Sequence, residues 1–435
     1  MRIMLVVLHP AHREQRAAAH ASTSIRGAAR INASALSVLS YLSLCGCLAA
    51  RTAGGATGES TRLPGAGESA SESPLLASPV PGVDAPMPAH DAEASRLARA
   101  RLERTLARLA SGPRFALGHE DTTAYGVGWS GDTDRSDVKS LCGTHVAVYG
   151  WDLFGVEKGA PKNGDGVDFE HMRRLIGDAH RRGGINTISW HLDNPTSGGN
   201  AWDRTPAVHD ILPGQPRHAL YRGYLDRAAS FLSSLRGDSN ELIPIIFRPF
   251  HEHTGSWFWW GGSHTNAQDY IALWRYTVDY LRHERGLDNL LFAFSPSGGD
   301  VHTDADYLYR YPGDAYVDVL GVDHYYSSDP KELVRVAEVV VRVAEARGKV
   351  PALTEFGARG GLNGAGIAPN WLVDNFLLPL KQSRTASRIA YALAWRNASP
   401  EHCFLPYPEH PGATAFKALC TDDQLVLEDD LAHLE

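Results

Sequence analysis

The sequence predicts an α/β fold, a single (β/α)8 TIM barrel preceded by a signal segment and a disordered linker. Three observations predict this fold. Eight strand-like runs alternate with helix-like segments; the runs are continuously apolar, as buried parallel strands are; and polar residues follow nearly every run. The runs are 115–118, 145–151, 185–191, 243–250, 289–295, 317–325, 350–356 and 389–395.

Helical patterns fill the gaps between these runs. They cover residues 169–182, 219–236, 267–285, 331–347 and 370–382. An earlier helix is predicted to run to Ala110, because Asp91 can cap its start and Gly112-Pro113 ends it. A doubly wound open sheet is the alternative architecture, but no GxGxxG motif follows the first strand-like run to favour it.

The N-terminal part of the chain has the pattern of a targeting segment. Basic residues precede a short uncharged stretch that ends in small residues and cysteines, so we expect residues 1–47 to be a signal peptide. Cys47 could be the lipidated first residue of a lipoprotein; cleavage near Ala49-Ala50 is the alternative. Residues 48–90, rich in Ala, Gly, Ser and Pro, predict a disordered linker, which leaves residues 91–435 for the catalytic barrel.

The charge of the chain restricts its partners. The formal net charge is −8, and residues 1–50 carry five Arg and one Glu, so the remainder is more acidic still. This balance argues against nucleic acid or an anionic membrane surface as the main partner. A neutral polymer such as a polysaccharide is compatible with it. We expect an exported protein, either secreted, periplasmic or held at the cell surface as a lipoprotein.

The cysteines of the sequence limit the possible disulfides and metal sites. Three cysteines follow the signal segment, Cys142, Cys403 and Cys420, which allows at most one disulfide. The short separation of Cys403 and Cys420 makes that pair conceivable, and buried free thiols are the alternative. Zinc-type spacing does not occur in the sequence, so we predict no metal site and no cofactor.

Two glutamates at the ends of apolar runs predict the chemistry. Glu252 follows the fourth run and Glu355 lies at the end of the seventh, and these two strands face each other across an eight-stranded barrel. Tryptophans come directly after Glu252. Two opposed carboxyl groups beside flat aromatic rings are what retaining hydrolysis of a polysaccharide needs. The residues therefore predict a glycanase.

The sequence around each glutamate resembles a known family. Residues 248–261 resemble the acid/base motif of glycoside hydrolase family 26, and residues 354–357 are similar to its nucleophile motif. Further similarities lie at 118–126, 311–318, 395–398 and 410–411, so the resemblance covers residues 92–430. That family consists mainly of bacterial endo-β-1,4-mannanases. The resemblance implies Glu252 as general acid/base and Glu355 as nucleophile.

Seven further residues are predicted to bind substrate. His251 would contact the sugar 2-hydroxyl or hold Glu252, and Tyr325 would orient Glu355. Trp395 is predicted to form the platform under the sugar at the cleavage point, and Trp257 to line the leaving-group side. The full set of predicted substrate-binding residues is His119, Tyr125, His191, His251, Trp257, Tyr325 and Trp395.

Several alternatives stay open at this stage. A metal-dependent barrel hydrolase would need a His-x-His on the first strand, which ends in His119-Glu120-Asp121 instead. A non-catalytic glycan-binding barrel would not need both glutamates. The expected substrate is mannan, glucomannan or galactomannan, with β-1,3-xylan or mixed-linkage β-glucan as alternatives within the family. The insertion at 197–215 could block one end of the substrate cleft, which would decide between endo and exo cleavage. We expect the protein to be a monomer.

Overall fold

The computed structural model describes residues 89–434. Within that range twelve strands and ten α-helices form. The strands are β1 (Phe115–Glu120), β2 (Tyr125–Gly126), β3 (Trp129–Ser130), β4 (Val148–Asp152), β5 (Ile185–Trp190), β6 (Ile245–Pro249), β7 (Leu290–Phe294), β8 (Val319–Leu320), β9 (Asp323–Tyr326), β10 (Val350–Ala358), β11 (Tyr391–Ala394) and β12 (Leu425–Val426). The helices are α1 (Ala92–Ala110), α2 (Asp137–Cys142), α3 (Phe169–Arg181), α4 (His218–Ser233), α5 (Ala267–Asp279), α6 (Asp304–Leu308), α7 (Pro330–Glu345), α8 (Leu378–Gln382), α9 (Ala413–Leu419) and α10 (Glu428–Leu431).

Eight parallel strand positions close into a barrel. The order around it is β1, β4, β5, β6, β7, β8 with β9, β10 and β11, and β11 pairs back with β1. Every pairing in this circuit is parallel. The closing pair excludes the open doubly wound sheet, and the predicted (β/α)8 barrel is confirmed.

The N-terminal ends of the barrel strands are covered by a helix that precedes the barrel. Asp91 caps α1 by accepting a hydrogen bond from the amide of Ala94. Leu102, Leu106 and Leu109 of α1 pack in one cluster with residues that begin the barrel strands, among them Ala116 and Ile246. Burying each leucine contributes about 2 kcal/mol. Polar side chains are therefore left to meet at the opposite end, where the strands terminate.

Two irregularities distinguish the sixth and seventh barrel strands from the sequence prediction. The predicted run 317–325 divides into β8 and β9, and both pieces pair with β10. The register of β10 against β11 shifts between Leu353 and Phe356, as in a β-bulge. Bulges re-aim side chains and are common beside active sites. Thr354 and Glu355 lie within this irregular interval.

The disulfide differs from the pair suggested by sequence proximity. Cys142 at the end of α2 is bonded to Cys420 at the end of α9, across a sequence separation of 278 residues. Cys403 is a buried free thiol. The suggested Cys403–Cys420 pair was therefore wrong, because closure of the barrel brings α2 and α9 together while Cys403 lies in the loop after β11.

The predictions for the N-terminal segment concern residues outside those that the structure describes. The signal peptide, the lipidation of Cys47 and all but the last two residues of the linker fall before residue 89. Within the described part of the chain, none of the helices combines the length and apolar character needed to cross a bilayer.

Removing the disulfide should destabilise the barrel. We expect the Cys142→Ala/Cys420→Ala double variant to lose about 3–5 kcal/mol of unfolding free energy, because the crosslink closes a very long loop in the unfolded chain. Guanidinium unfolding of the oxidised protein and the variant measures the difference. Reductant should lower the stability of the unmodified protein and leave the variant unchanged; equal midpoints for the oxidised protein and the variant would contradict the expectation.

Candidate active site

The segment carrying Glu252 is held in a strained backbone conformation. Phe250 and Glu252 both have positive φ, 49° and 51°, a region that bulky residues other than glycine seldom adopt. Hydrogen bonds fix the backbone on both sides: Tyr270 donates to the carbonyl of Phe250, Trp260 to that of His251, and the amide of Glu252 to the carbonyl of Ser295. Strain of this kind persists only where the surroundings enforce it.

Trp257 folds back onto the carboxyl group of Glu252. Its indole Nε1 donates to Oε2 of Glu252 at 2.6 Å, and the residue is 38% exposed. Gly255 makes this possible, because a Cβ at that position would lie 2.2 Å from the Trp257 ring. Trp259 and Trp260 are fully buried and pack the loop.

Glu355 is held by two donors at its two oxygens. Arg248 forms an ion pair with Oε1, and the hydroxyl of Tyr325 donates to Oε2 at 2.6 Å. The adjacent tyrosine, Tyr326, points away and donates to the carbonyl of Asn375. The placement of Tyr325 beside Glu355 is the one that the alternation of side chains along a strand predicts.

Arg248 also binds a second buried carboxyl group. Its NH1 lies 2.8 Å from Oδ2 of Asp323, which also accepts from Ser295, while Oδ1 of Asp323 accepts from Thr354. Burial alone would lower the pKa of Arg248, but the charges of Asp323 and Glu355 raise it well above its ordinary value. Arg248 is thus a permanent cation that joins the ends of neighbouring strands.

The two glutamates have different surroundings. Burial raises the pKa of Glu252 well above its ordinary value, and the nearby charge of Glu355 raises it further; the hydrogen bond from Trp257 and the charge of Arg248 act in the opposite direction. Glu252 is therefore protonated under conditions where an ordinary carboxyl group is charged. Glu355 has a guanidinium and a phenol to neutralise and orient it. One carboxyl group is suited to donate a proton and the other to attack.

Two histidines are joined beside these carboxyl groups. His191 Nε2 lies 3.2 Å from Nε2 of His251, and the rings are 4.5 Å apart in an edge-to-face arrangement. The other ring nitrogen of His191 contacts Oδ2 of Asp152 at 2.6 Å. The half-buried ring of Trp395 lies 5.9 Å from that of His191. The structure therefore brings the predicted His191, His251 and Trp395 together.

The insertion after β5 adds an aromatic residue to this group. Trp202 stacks on His191 with ring centroids 5.2 Å apart and an interplanar angle of 13°, and its ring is 37% exposed. The insertion is anchored by Asn194, whose side chain donates to the carbonyls of Asp203 and Thr205. The predicted blocking segment thus lies against His191.

His119 and Tyr125 occupy a separate part of the strand ends. His119 is buried at the end of β1, where it contacts the hydroxyl of Thr122, and burial lowers its pKa to about 4. Tyr125 donates to Asp121 at 2.6 Å. Arg396, which follows Trp395 in the chain, lies 2.8 Å from Asp165. Arg396 also interacts with Tyr125 and Asp121, so it connects the Tyr125 group to the segment that carries Trp395.

Sequence reasoning missed three residues of the site, Asp152, Trp202 and Asp323. The two aspartates were visible as polar residues at strand ends, but that position alone does not say which partner they bind. Trp202 is the one tryptophan of the insertion and had no other sign of its location. Among the described residues, no group of three or more His, Cys, Asp or Glu is arranged to hold a metal ion.

Comparison with known proteins identifies what the barrel is similar to. The model of glycosyl hydrolase family 26 matches residues 108–363. The chain is 40% identical over 243 residues to a mannan endo-1,4-β-mannosidase of Bifidobacterium adolescentis, and 38% identical over 163 residues to endoglucanase H of Acetivibrio thermocellus. A family 26 β-mannanase structure from Bacteroides ovatus superposes with a TM-score of 0.72 and 37% identity.

These similarities differ in coverage. The structural match covers 77% of this chain and 95% of the Bacteroides ovatus chain. The sequence matches cover 53% and 37% of this chain, but only 24% of the Bifidobacterium protein and 16% of the Acetivibrio protein. The chain therefore spans only part of the length of these two curated relatives.

Replacing Arg248 should destabilise the protein in a pH-dependent way. We expect Arg248→Met to lose about 3–5 kcal/mol of unfolding free energy at neutral pH, because Asp323 and Glu355 would stay buried without their cation. Burial raises the pKa of Asp323 and the charge of Arg248 lowers it, so the variant raises it further. A folded-state pKa above the unfolded value, about 3.9 for Asp, costs stability at higher pH. The deficit should therefore shrink as the pH falls from 7 towards about 4.

Arg310→Met is a matched control for this experiment. Arg310 is also buried, but it donates to backbone carbonyls, those of His253, Trp260, Gly262 and Thr265. Its removal should destabilise the fold without the same recovery at low pH. Denaturant unfolding of both variants across the pH range measures this, and parallel pH dependences in the two variants would contradict the charge argument.

Proposed function

We propose that this chain, which belongs to glycosyl hydrolase family 26, cleaves internal β-1,4-mannosidic linkages. The cleavage would retain the configuration at the anomeric carbon. The observation that carries this proposal is the pair of differently held carboxyl groups. Glu252 is kept protonated mainly by burial, whereas Glu355 is oriented by Arg248 and Tyr325.

In the first step the glycosidic bond breaks. Glu252 gives its proton to the departing glycosidic oxygen while an oxygen of Glu355 attacks the anomeric carbon. The product is a glycosyl-enzyme ester on Glu355 and a free sugar chain on the leaving side. Trp257, whose indole contacts Glu252, would pack against that leaving sugar.

In the second step water releases the bound sugar. Glu252, now a carboxylate, takes a proton from a water molecule whose oxygen attacks the anomeric carbon, and the ester bond to Glu355 breaks. The hydrogen bond from Trp257 stabilises the carboxylate form of Glu252 between the two steps. Tyr325 and Arg248 receive the negative charge that returns to Glu355.

The sugar at the cleavage point would be held by the remaining predicted residues. Trp395 supplies a half-buried ring face, and the His191–His251 pair lies beside it. His119 and Tyr125 would contact sugars further along the non-reducing side. Mannan, glucomannan and galactomannan all share the axial 2-hydroxyl that His251 would contact.

A second candidate substrate is a β-glucan. The similarity to endoglucanase H is the observation that favours it, since that name describes glucan cleavage. The two substrates differ at the 2-hydroxyl, which is axial in mannose and equatorial in glucose. The same two carboxyl groups would serve either sugar.

Activity on defined glycans tests the proposal. We expect release of reducing ends from mannan, and a much weaker release from lichenan and β-1,3-xylan. Glu252→Ala should lower kcat/KM on mannan by about 10²–10⁴-fold, and Glu355→Ala by at least as much. Activity on lichenan or β-1,3-xylan alone would show that the proposed substrate is wrong. If the unmodified protein cleaves none of the three glycans, the proposed hydrolase function is wrong.

Azide separates the roles of the two glutamates. With an activated aryl β-mannoside, azide should restore turnover of Glu355→Ala and give the α-mannosyl azide, because the small anion attacks from the vacated nucleophile side. The same anion should give the β-mannosyl azide with Glu252→Ala, since it attacks the glycosyl-enzyme from the other face. The reverse pattern would exchange the two assignments.

We also propose that residues 1–47 direct export of the chain, with Cys47 as the candidate lipid attachment point. The support is the order of basic, uncharged and small residues in this segment. Mass spectrometry of the protein from a bacterial host tests it. An acylated Cys47, lost in Cys47→Ser, indicates a lipoprotein; a free N-terminus near Ala49-Ala50 indicates a secreted protein; an unprocessed cytoplasmic chain contradicts export.

The active form is proposed to be a monomer. Both glutamates and the aromatic residues around them come from one chain, so a second copy is not needed to complete the site. Light scattering coupled to size exclusion, run on active protein, should give the mass of one chain. A dimer that loses activity on dissociation would contradict this.

A further inference from the structure

The contact between His191 and His251 needs one proton between two like nitrogens. The two Nε2 atoms lie 3.2 Å apart, so one must donate and the other accept. Asp152 restricts the choice, because its Oδ2 lies 2.6 Å from Nδ1 of His191 and a carboxylate can only accept. His191 therefore keeps a proton on Nδ1 whether it is charged or neutral.

Asp152 is itself built to remain a charged acceptor. It is fully buried and accepts hydrogen bonds from the Ser189 hydroxyl and from the amides of Phe154 and His191. Burial would raise its pKa, but the charge and hydrogen bond of His191, followed by these other donors, lower it below its ordinary value. The carboxylate faces His191 as a fixed negative charge.

Trp202 favours the charged form of His191 from another direction. Its ring lies parallel to the imidazole at 5.2 Å, the arrangement in which an indole face attracts a cation. Burial alone would lower the pKa of His191, but Asp152 raises it above its ordinary value, with smaller contributions from Glu355 and Asp165. His251 has the opposite tendency: burial lowers its pKa well below the ordinary value, and the charges of Arg248, His191 and His253 lower it further.

We propose that Asp152, His191 and His251 form a relay in which Asp152 sets which ring nitrogen of His251 carries a proton. When His191 is charged, it donates from Nε2 to His251, so the proton of neutral His251 is on Nδ1. When His191 loses its charge, the bridging proton belongs to His251, and Nδ1 of His251 becomes a bare acceptor. Asp152 is a positioning residue in this scheme, because it acts only through His191.

Nδ1 of His251 is the atom through which the relay would contact a ligand. Nδ1 of His251 is buried and has no hydrogen-bond partner among residues 89–434. Resting on the proposed function, we infer that this nitrogen contacts a sugar hydroxyl and presents a donor at acidic pH and an acceptor at higher pH. Hydrogen bonds to the 2-hydroxyl strengthen in the transition state, so this change affects turnover. Trp202 and Asp152 thus become determinants of how the bound sugar is held.

Histidine NMR tests the relay without reference to catalysis. The full-length chain is labelled with ¹⁵N-histidine, and His191→Gln and His251→Gln assign the two rings in two-bond ¹H–¹⁵N spectra. At about pH 5.5, one unit below the ordinary pKa of histidine, we expect both nitrogens of His191 and Nδ1 of His251 to carry protons. As the pH rises, His191 should lose its Nε2 proton while the proton of His251 moves from Nδ1 to Nε2, with the same midpoint.

Asp152→Asn is the decisive variant and Ser189→Ala its matched control. Losing the charge should lower the titration midpoint of His191 by about one unit or more, with His251 in the Nε2–H form already at about pH 5.5. Ser189→Ala removes a hydrogen bond from the same carboxylate without removing the charge, so its effect should be smaller. If Asp152→Asn does not fold, the titration of the unmodified protein still decides.

Three results would overturn the relay: a neutral His191 at about pH 5.5, a fixed tautomer of His251 while His191 titrates, or equal shifts in Asp152→Asn and Ser189→Ala. The pH dependence of kcat/KM on mannan is a second measurement, in which Asp152→Asn should move an ionisation to lower pH. A protein that cleaves no glycan would overturn the proposed function while the spectra still decide the relay.

Discussion

The ion pairs of Arg248 are the interaction on which the geometry of the site depends. One buried guanidinium meets Glu355 on β10 and Asp323 on β9 from its own position on β6, and it also lies within hydrogen-bond range of Ser295 after β7. Burying charges is costly unless each is paired, so these strands have only a narrow range of arrangements that satisfy all three groups. Asp323 begins β9 just after the break from β8, and Glu355 lies at the irregularity of β10, so both partners of this cation come from irregular parts of the sheet.

The strained backbone around Glu252 is also maintained by specific contacts with its surroundings. Two non-glycine residues in the left-handed region cost of order 1–3 kcal/mol each, and a regular strand end would avoid that cost. The hydrogen bonds from Tyr270 and Trp260 and to Ser295 offset it, and the indole of Trp257 holds the Glu252 carboxyl group. Ser295 is common to both sides, since its carbonyl binds the Glu252 amide and its hydroxyl binds Asp323. The segments that carry Glu252 and Glu355 are therefore connected through a shared strand end.

Much of this arrangement could be predicted from the sequence. Buried parallel strands are continuous in composition, and their ends converge, so the barrel, Glu252, Glu355 and Tyr325 beside it follow from local pattern. Asp152 and Trp202 could not be assigned in the same way, because their roles depend on which loop lies over His191. The division of the sixth strand depends on how its two parts pair with β10, and the cysteine pairing depends on where the barrel closes. These features arise from contacts between segments far apart in the chain, which no short-range pattern records.

The position of the disulfide has a consequence for proteolysis. Cys142 and Cys420 enclose nearly every loop at the C-terminal ends of the strands, from the one after β4 to the one after β11. A protease that cuts any of these exposed loops would produce two fragments that stay covalently joined. The nicked protein would migrate as one band until reduced, and its paired strands could keep the barrel closed after cleavage. Only the loop between β1 and α2 lies outside this protected interval.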